Sequence, residues 1–289
     1  MDCQLDIFFL EALLNGVLLA GLLALLALGL NLVFGVIDVV WICYAELVMV
    51  GMYGVHFSYK AGAPFLLAAV IGILIVAMAG ALLHVLVIRP VLDSEPINQL
   101  LVTGGVLFFL QAAATMAFGI EFRNIGISMG SVNVADMSFS KSRIVSFVVA
   151  LVSMLGLWLF LRRSYIGTAI RAIAQDRQIM PLMGVDSRKV YIVTSAIGGG
   201  LAGLAATLMV LNYDIYPQIG LQFGPLVFMI CVLGGLGNMV GGFVAAFIIS
   251  QFIAVGSSCF HTEWGYAVAF LFFMIAIFVR PQGLFGGKS

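Results

Sequence analysis

A succession of apolar runs close to twenty residues long, separated by short charged or Gly- and Pro-containing stretches, constrains this chain more than any other feature. About twenty helical residues cross the roughly 30 Å hydrocarbon core of a bilayer. Inside hydrocarbon every backbone N–H and C=O must be paired within the protein, which leaves helices or a closed barrel. A barrel would read as alternating strands of about ten residues, and these runs do not alternate. The runs 5–32, 36–57, 64–88, 97–118, 144–161, 190–211, 221–236, 240–255 and 264–279 predict an all-α polytopic integral membrane protein with about nine, and between eight and ten, transmembrane segments. Composition agrees: 63% of residues are hydrophobic and 9% charged, with a mean hydropathy of +1.18. Soluble domains carry roughly 25% charged residues. At sixteen residues, 221–236 and 240–255 reach only about 24 Å, so a pair of half-spans or a re-entrant pair stays open for them.

Lys and Arg set the expected orientation. With the C-terminus in the cytoplasm, Arg89, Arg162, Arg163, Arg171, Arg177, Arg188, Lys189, Arg280 and Lys288 lie inside, and Lys60, Arg123, Lys141 and Arg143 outside. This positive-inside bias places the N-terminus outside, in keeping with its acidic start, Met1-Asp2-Cys3-Gln4-Leu5-Asp6. That start is not the basic n-region of a signal peptide, so the first helix is expected to be retained. The formal net charge of zero gives no reason to expect nucleic acid as a partner. Cys3, Cys43, Cys231 and Cys259 have no metal-ligand spacing; Cys3 with Cys259 is the one pair to consider for a disulfide. The absence of a linker or tandem repeat makes residues 1–289 one transmembrane domain.

The longest charged stretch, 162–189, is the most informative loop. Within it 166–180 has helix-forming composition, with Ile166, Ile170, Ile173 and Ala174 on one face and Arg171, Gln175, Asp176 and Arg177 on the other. Pro181 interrupts the pattern and Gly184 permits the turn back to the bilayer. Such a helix suits either a groove on another protein or the headgroup region of the bilayer. Asp38 and Glu46 are the ionisable residues nearest the membrane interior, where a charge costs roughly 2.5–3.5 kcal/mol and generally faces a cavity or a partner. For Asp38 the plainer reading is an interfacial residue starting a helix; Glu46, about 12 Å deeper on the same helix, is open between interface and pathway.

Several patterns point away from chemistry in this chain. Gly234, Gly235, Gly237, Gly241 and Gly242 follow no strand and lie between apolar runs, as do Gly198, Gly199 and Gly200. They read as close helix packing rather than a nucleotide loop. The tail ending Gly286-Gly287-Lys288-Ser289 echoes a P-loop, but Gln282 stands where its first glycine belongs and no helix follows. His56, His84 and His261 are scattered, and no paired carboxylates or nucleophile elbow stand out. The chain is therefore expected to be neither an ATPase nor any other enzyme, with no cofactor or metal of its own.

Arg171-Ala172-Ile173-Ala174-Gln175-Asp176-Arg177, followed by Leu182-Met183-Gly184-Val185, resembles the cytoplasmic loop of the LivH-type permeases of the branched-chain amino acid (LIV) family of ABC importers. Gly29-Leu30-Asn31-Leu32-Val33-Phe34-Gly35, Val232-Leu233-Gly234-Gly235-Leu236-Gly237 and Arg280-Pro281-Gln282-Gly283-Leu284-Phe285-Gly286 agree with it, in the family's order. The resemblance implies half of the translocation pathway of an ATP-driven importer in a bacterial-type cytoplasmic membrane. It also implies a homologous second permease forming a heterodimer, one or two ATPase subunits carrying ATP-Mg, and a periplasmic substrate-binding protein. Loop 162–189 would be the coupling loop, with Arg171, Asp176, Arg177 and Gly184 carrying the coupling; Asn31, Tyr44 and Glu46 are candidates for the pathway. One departure stands out: Trp41-Ile42-Cys43-Tyr44-Ala45 replaces an Asn-Phe-Ala-His-Gly-like run usual in the family. Urea, amide and other amino-acid importers share these permeases, so related substrates, or a self-sufficient channel or ion-coupled carrier, remain alternatives to branched-chain amino acids.

Overall fold

The computed structural model of the chain describes residues 2–127, 130–134, 137–176, 184–259 and 262–286. The order is α1 (Asp2–Ile37), α2 (Tyr44–Lys60), α3 (Phe65–Leu83), a π turn (His84–Ile88), α4 (Arg89–Val91), α5 (Pro96–Phe118), a hairpin of β1 (Ser131–Val134) and β2 (Met137–Ser140), α6 (Lys141–Arg163), α7 (Tyr165–Gln175), α8 (Ser187–Val210), α9 (Ile219–Gly234), α10 (Met239–Cys259) and α11 (Thr262–Val279). Among the described residues six helices are long and apolar enough to cross a membrane: Phe9–Ile37, Phe65–Val91, Pro96–Phe118, Lys141–Arg163, Ser187–Val210 and Met239–Ser258. Helices α2, α9 and α11 match three further expected runs but are shorter, and length and hydropathy alone do not carry them to nine. The side chains of Cys3 and Cys259 lie outside the described residues.

Helix α1 is the central column. From Ala20 to Ile37 nearly every side chain is buried, packed along α10 and α8 with α6 and α9 beside them. Helix α8 in turn packs on α3 and α2. The periphery is apolar and open: Leu66, Leu74, Phe108, Phe109, Leu155 and Phe278 are all exposed. In water such a surface would be an aggregation site; in a bilayer lipid tails or a partner helix cover it.

Two breaks depart from the expected spans. The second span was expected from residue 36, with Asp38 starting it. Instead α1 continues to Ile37 and Asp38 ends it at φ 60°, a left-handed conformation that Asp tolerates better than most residues. Residues 38–43 are not helical and α2 begins at Tyr44, so Glu46 stands in the first turn of α2 rather than two turns deep. The second break is the π turn ahead of Pro90. The third span was expected to stop at Arg89-Pro90, but it continues to Val91. A π turn interrupts the i→i+4 ladder in which an interior proline nitrogen could not have taken part.

Candidate functional site

The break between α1 and α2 starts beside the turn where Gly35 meets Gly237 and reaches mid-depth in the bundle at Tyr44. Helix α2 runs alongside α8, with Gly51 against Ala206, and the Tyr44 hydroxyl donates to the Gly198 carbonyl at 3.3 Å, halfway along α8. Non-helical backbone at such a depth is tolerated only when buried in protein or lining a cavity. Here it does both. Trp41, Cys43 and Tyr44 are almost fully buried, and Val40, Trp41 and Ile42 form one wall of a cavity of about 430 Å³. Leu100 and Leu107 of α5 and Gly224 and Phe228 of α9 form other walls, and the lining is almost wholly apolar.

Glu46 lies beside this cavity. It is completely buried, and its Oε1 accepts a hydrogen bond from Gln111 Nε2 of α5 at 3.1 Å. Its Oε2 has no protein partner. The carboxylate fits because Gly220, the second residue of α9, leaves room for it; a side chain there would run into it. The first turns of α2 and α9 thus converge on one carboxylate, which their partial positive N-terminal ends stabilise. On the far side of Gln111 a second pocket of about 460 Å³ is open to the exterior of the chain, bordered by Gln111, Thr115 and Gln218.

The structure brings Tyr44 and Glu46 to this region and puts Asn31 elsewhere. Asn31 is buried on α1 and its Oδ1 accepts from the Gly237 amide at 3.1 Å, pinning the turn between α9 and α10. At the same turn the Leu284 amide donates to the Leu233 carbonyl at 2.7 Å, and Asn238 Nδ2 to the Phe285 carbonyl at 3.1 Å. Three motif stretches far apart in sequence, 29–35, 232–237 and 280–286, therefore meet in one place. A groove joins them to Arg162, stacked 5.0 Å above the Trp158 ring, and to Arg171 of α7.

Helix α7 is short and amphipathic. Ser164 caps it, accepting from the Gly167 amide at 2.8 Å, and it ends at Gln175 because Asp176 is extended. The expected helix 166–180 is thus shorter at its far end; Arg177 lies outside the described residues. Half of its expected apolar face is occupied: Ile170 and Ile173 are buried against the chain's own helices, while Ile166 and Ala174 are exposed. What faces outward is Tyr165, 86% exposed, with Arg171, Gln175 and Asp176. Gly184, at φ 81°, turns the chain toward α8, whose N-cap Asp186 accepts from the Arg188 and Lys189 amides. Replacing Ser164 by alanine should cost α7 about 1 kcal/mol. Hydrogen exchange at the Gly167 amide should then accelerate about fivefold while the spans keep their protection.

The model of the family described as branched-chain amino acid transport system / permease component matches residues 12–277. The chain belongs to that family. It is 30% identical to the high-affinity branched-chain amino acid transport system permease protein LivH of Salmonella typhimurium, over 97% of this chain and 96% of that one. It is 29% identical to BraD of Pseudomonas aeruginosa over 96% of each. LivM of Escherichia coli, also a branched-chain amino acid permease protein, is 25% identical over 90% of this chain and 67% of LivM. Among solved structures, PsaBC from Streptococcus pneumoniae superposes with a TM-score of 0.51 at 14% identity, covering 94% of this chain and 92% of that one, which makes the likeness one of fold. In this member of the family the motif junction at Asn31 and the helix α7 adjoin one end of the bundle, and Glu46 lies within it. Gln111, the partner of Glu46, carries no motif of its own; an isolated glutamine in an apolar run was the only signal, and sequence reading passed over it.

Proposed function

We propose that this chain is one of two membrane-spanning permease subunits of an ATP-driven importer for branched-chain amino acids, supplying half of the translocation pathway. The observation that carries the reading is the family match across nearly the whole chain, together with high coverage of relatives named as branched-chain amino acid permeases. Similarity to both LivH and LivM supports a homologous, non-identical second permease beside it. One or two cytoplasmic ATPase subunits bind ATP-Mg and dock on the coupling loop 162–189, the outward face of α7 included, and Arg171, Asp176, Arg177 and Gly184 transmit the stroke. A periplasmic protein delivers the substrate. This chain hydrolyses nothing; Tyr44 and Glu46 belong to its pathway, and Asn31 braces the junction beside α7.

The chain crosses the cytoplasmic membrane nine times in this reading, with α2, α9 and α11 completing the six longer spans. Its N-terminus is outside and its C-terminus inside, which puts Arg162, Arg163, Arg171 and Arg188 in the cytoplasm. Affinity purification from the native membrane in mild detergent tests the assembly. A second permease and one or two ATPase subunits should co-purify in fixed ratio. Repeated recovery of this chain alone, with amino-acid flux through it in liposomes without ATP, would replace the importer by a self-sufficient carrier.

A further inference from the structure

Helices α5 and α9 lay out the same order of features along their length. On α5 the open pocket is bordered by Thr115 and Gln111, Gln111 bonds Glu46, and Leu107 and Leu100 then wall the inner cavity. Along α9 the order runs from Gln218, just ahead of its first residue, at the open pocket, through Gly220 against the Glu46 carboxylate, to Gly224 and Phe228 at the cavity. Two independent helices thus place the Glu46–Gln111 pair between a wide-open, partly polar pocket and a narrower-mouthed apolar one. The carboxylate there keeps one oxygen buried and without a protein partner. Such an oxygen is costly unless something fills its hydrogen-bonding capacity in part of the working cycle. The cavity, at about 430 Å³, falls in the range of small-molecule sites.

We propose that this is a substrate-binding station on the pathway. The ammonium group of an aliphatic amino acid binds Glu46, displacing Gln111, and its hydrocarbon side chain enters the cavity walled by Trp41, Leu100, Leu107 and Phe228. Gln111 is then the gate residue between the two pockets. Leu107 sets the size of side chain that passes, since it projects from a helix that is otherwise little buried and can be changed without disturbing the core. The inference rests on the importer reading above and adds to it a selectivity located in the permease itself.

The test uses the complete importer, with both permeases, ATPase subunits and binding protein, in proteoliposomes, and reads ATP-dependent uptake of leucine and of valine. The leucine-to-valine ratio, taken relative to the unaltered importer, cancels the binding protein's own preference. Leu107→Trp should lower that ratio at least about fourfold, the worth of one methylene moved out of water, and Leu107→Ala should raise it. Damage to folding or assembly would depress both substrates and would not move the ratio in opposite directions. Glu46→Gln should reduce uptake of both amino acids at least tenfold with the ratio unchanged. Ratios that stay at the unaltered value in both Leu107 variants, or full uptake in Glu46→Gln, would overturn the station while leaving the importer standing. Absence of any ATP-dependent amino-acid uptake by the unaltered assembly would overturn both.

Discussion

Gly199→Val should unfold or misassemble much of this protein, while Gly200→Val, one residue on, should be nearly silent. The difference follows from where each Cα–H points. A Cβ on Gly199 would lie 2.5 Å from the Val76 carbonyl oxygen and 3.3 Å from the α-carbons of Ala77 and Gly80. All three are backbone atoms of α3, so no rotamer change relieves the clash; the helices must move apart. On Gly200 the nearest atom would be the Ala77 methyl at 3.9 Å, an ordinary contact. Between TM helices there is no hydrophobic effect to hold a separated pair, because lipid is as apolar as the side chains. Close packing is the main attraction, and it falls off steeply with separation. Overpacking typically costs 1–3 kcal/mol, and the Gly199 change belongs at or above about 3 kcal/mol. In mild detergent that corresponds to a fall of roughly 10 °C in the unfolding midpoint, with a lower yield of monodisperse protein. Equal midpoints for the two variants would show that the α3–α8 contact contributes little to the fold.

The same glycines mark how far the sequence could be read. Their clustering at 198–200 inside an apolar run announces helices in close approach, but only the packed structure separates Gly199, against backbone, from Gly200, against nothing rigid. Most span positions were legible because the longer apolar runs are about as long as the bilayer is thick; the sixteen-residue runs 221–236 and 240–255 are not, and length alone left them open. The exact breaks were not, because they depend on single residues whose backbone state is settled by packing. Asp38 reads as a helix start and is in fact a helix end at positive φ, ahead of a non-helical segment whose Trp41, Cys43 and Tyr44 are buried. Glu46 was legible as an expensive charge. Its partner Gln111 was not, since the two are 65 residues apart and nothing in a period of 3.6 connects them. The motif stretches were readable one by one, but their meeting around Asn31 and Gly237 is a consequence of α1 and α10 packing side by side.

Asp176→Arg should abolish amino-acid uptake by the assembled importer, lowering it at least tenfold, while ATP hydrolysis continues at its basal rate and the chain stays folded in the membrane. The apolar face of α7 is partly taken up: Ile170 and Ile173 are 1% and 0% exposed, held by the chain's own helices, while Ile166 stays 43% exposed. Whatever docks on α7 meets its polar face and the exposed Tyr165. A polar contact of this kind fixes register through complementary charge, and reversing a charge costs more than removing it because the partner group is then repelled. Asp176 is exposed and extended just past the helix end, so arginine there neither breaks α7 nor leaves a cavity. Ile173→Asp is the contrasting variant. It buries a carboxylate between α7 and the bundle, so it should lower the amount of folded protein as well as uptake. If Asp176→Arg instead lowers folded yield in step with Ile173→Asp, its role is structural. If it folds normally and imports at the unaltered rate, the ATPase engages this chain somewhere other than the outward face of α7.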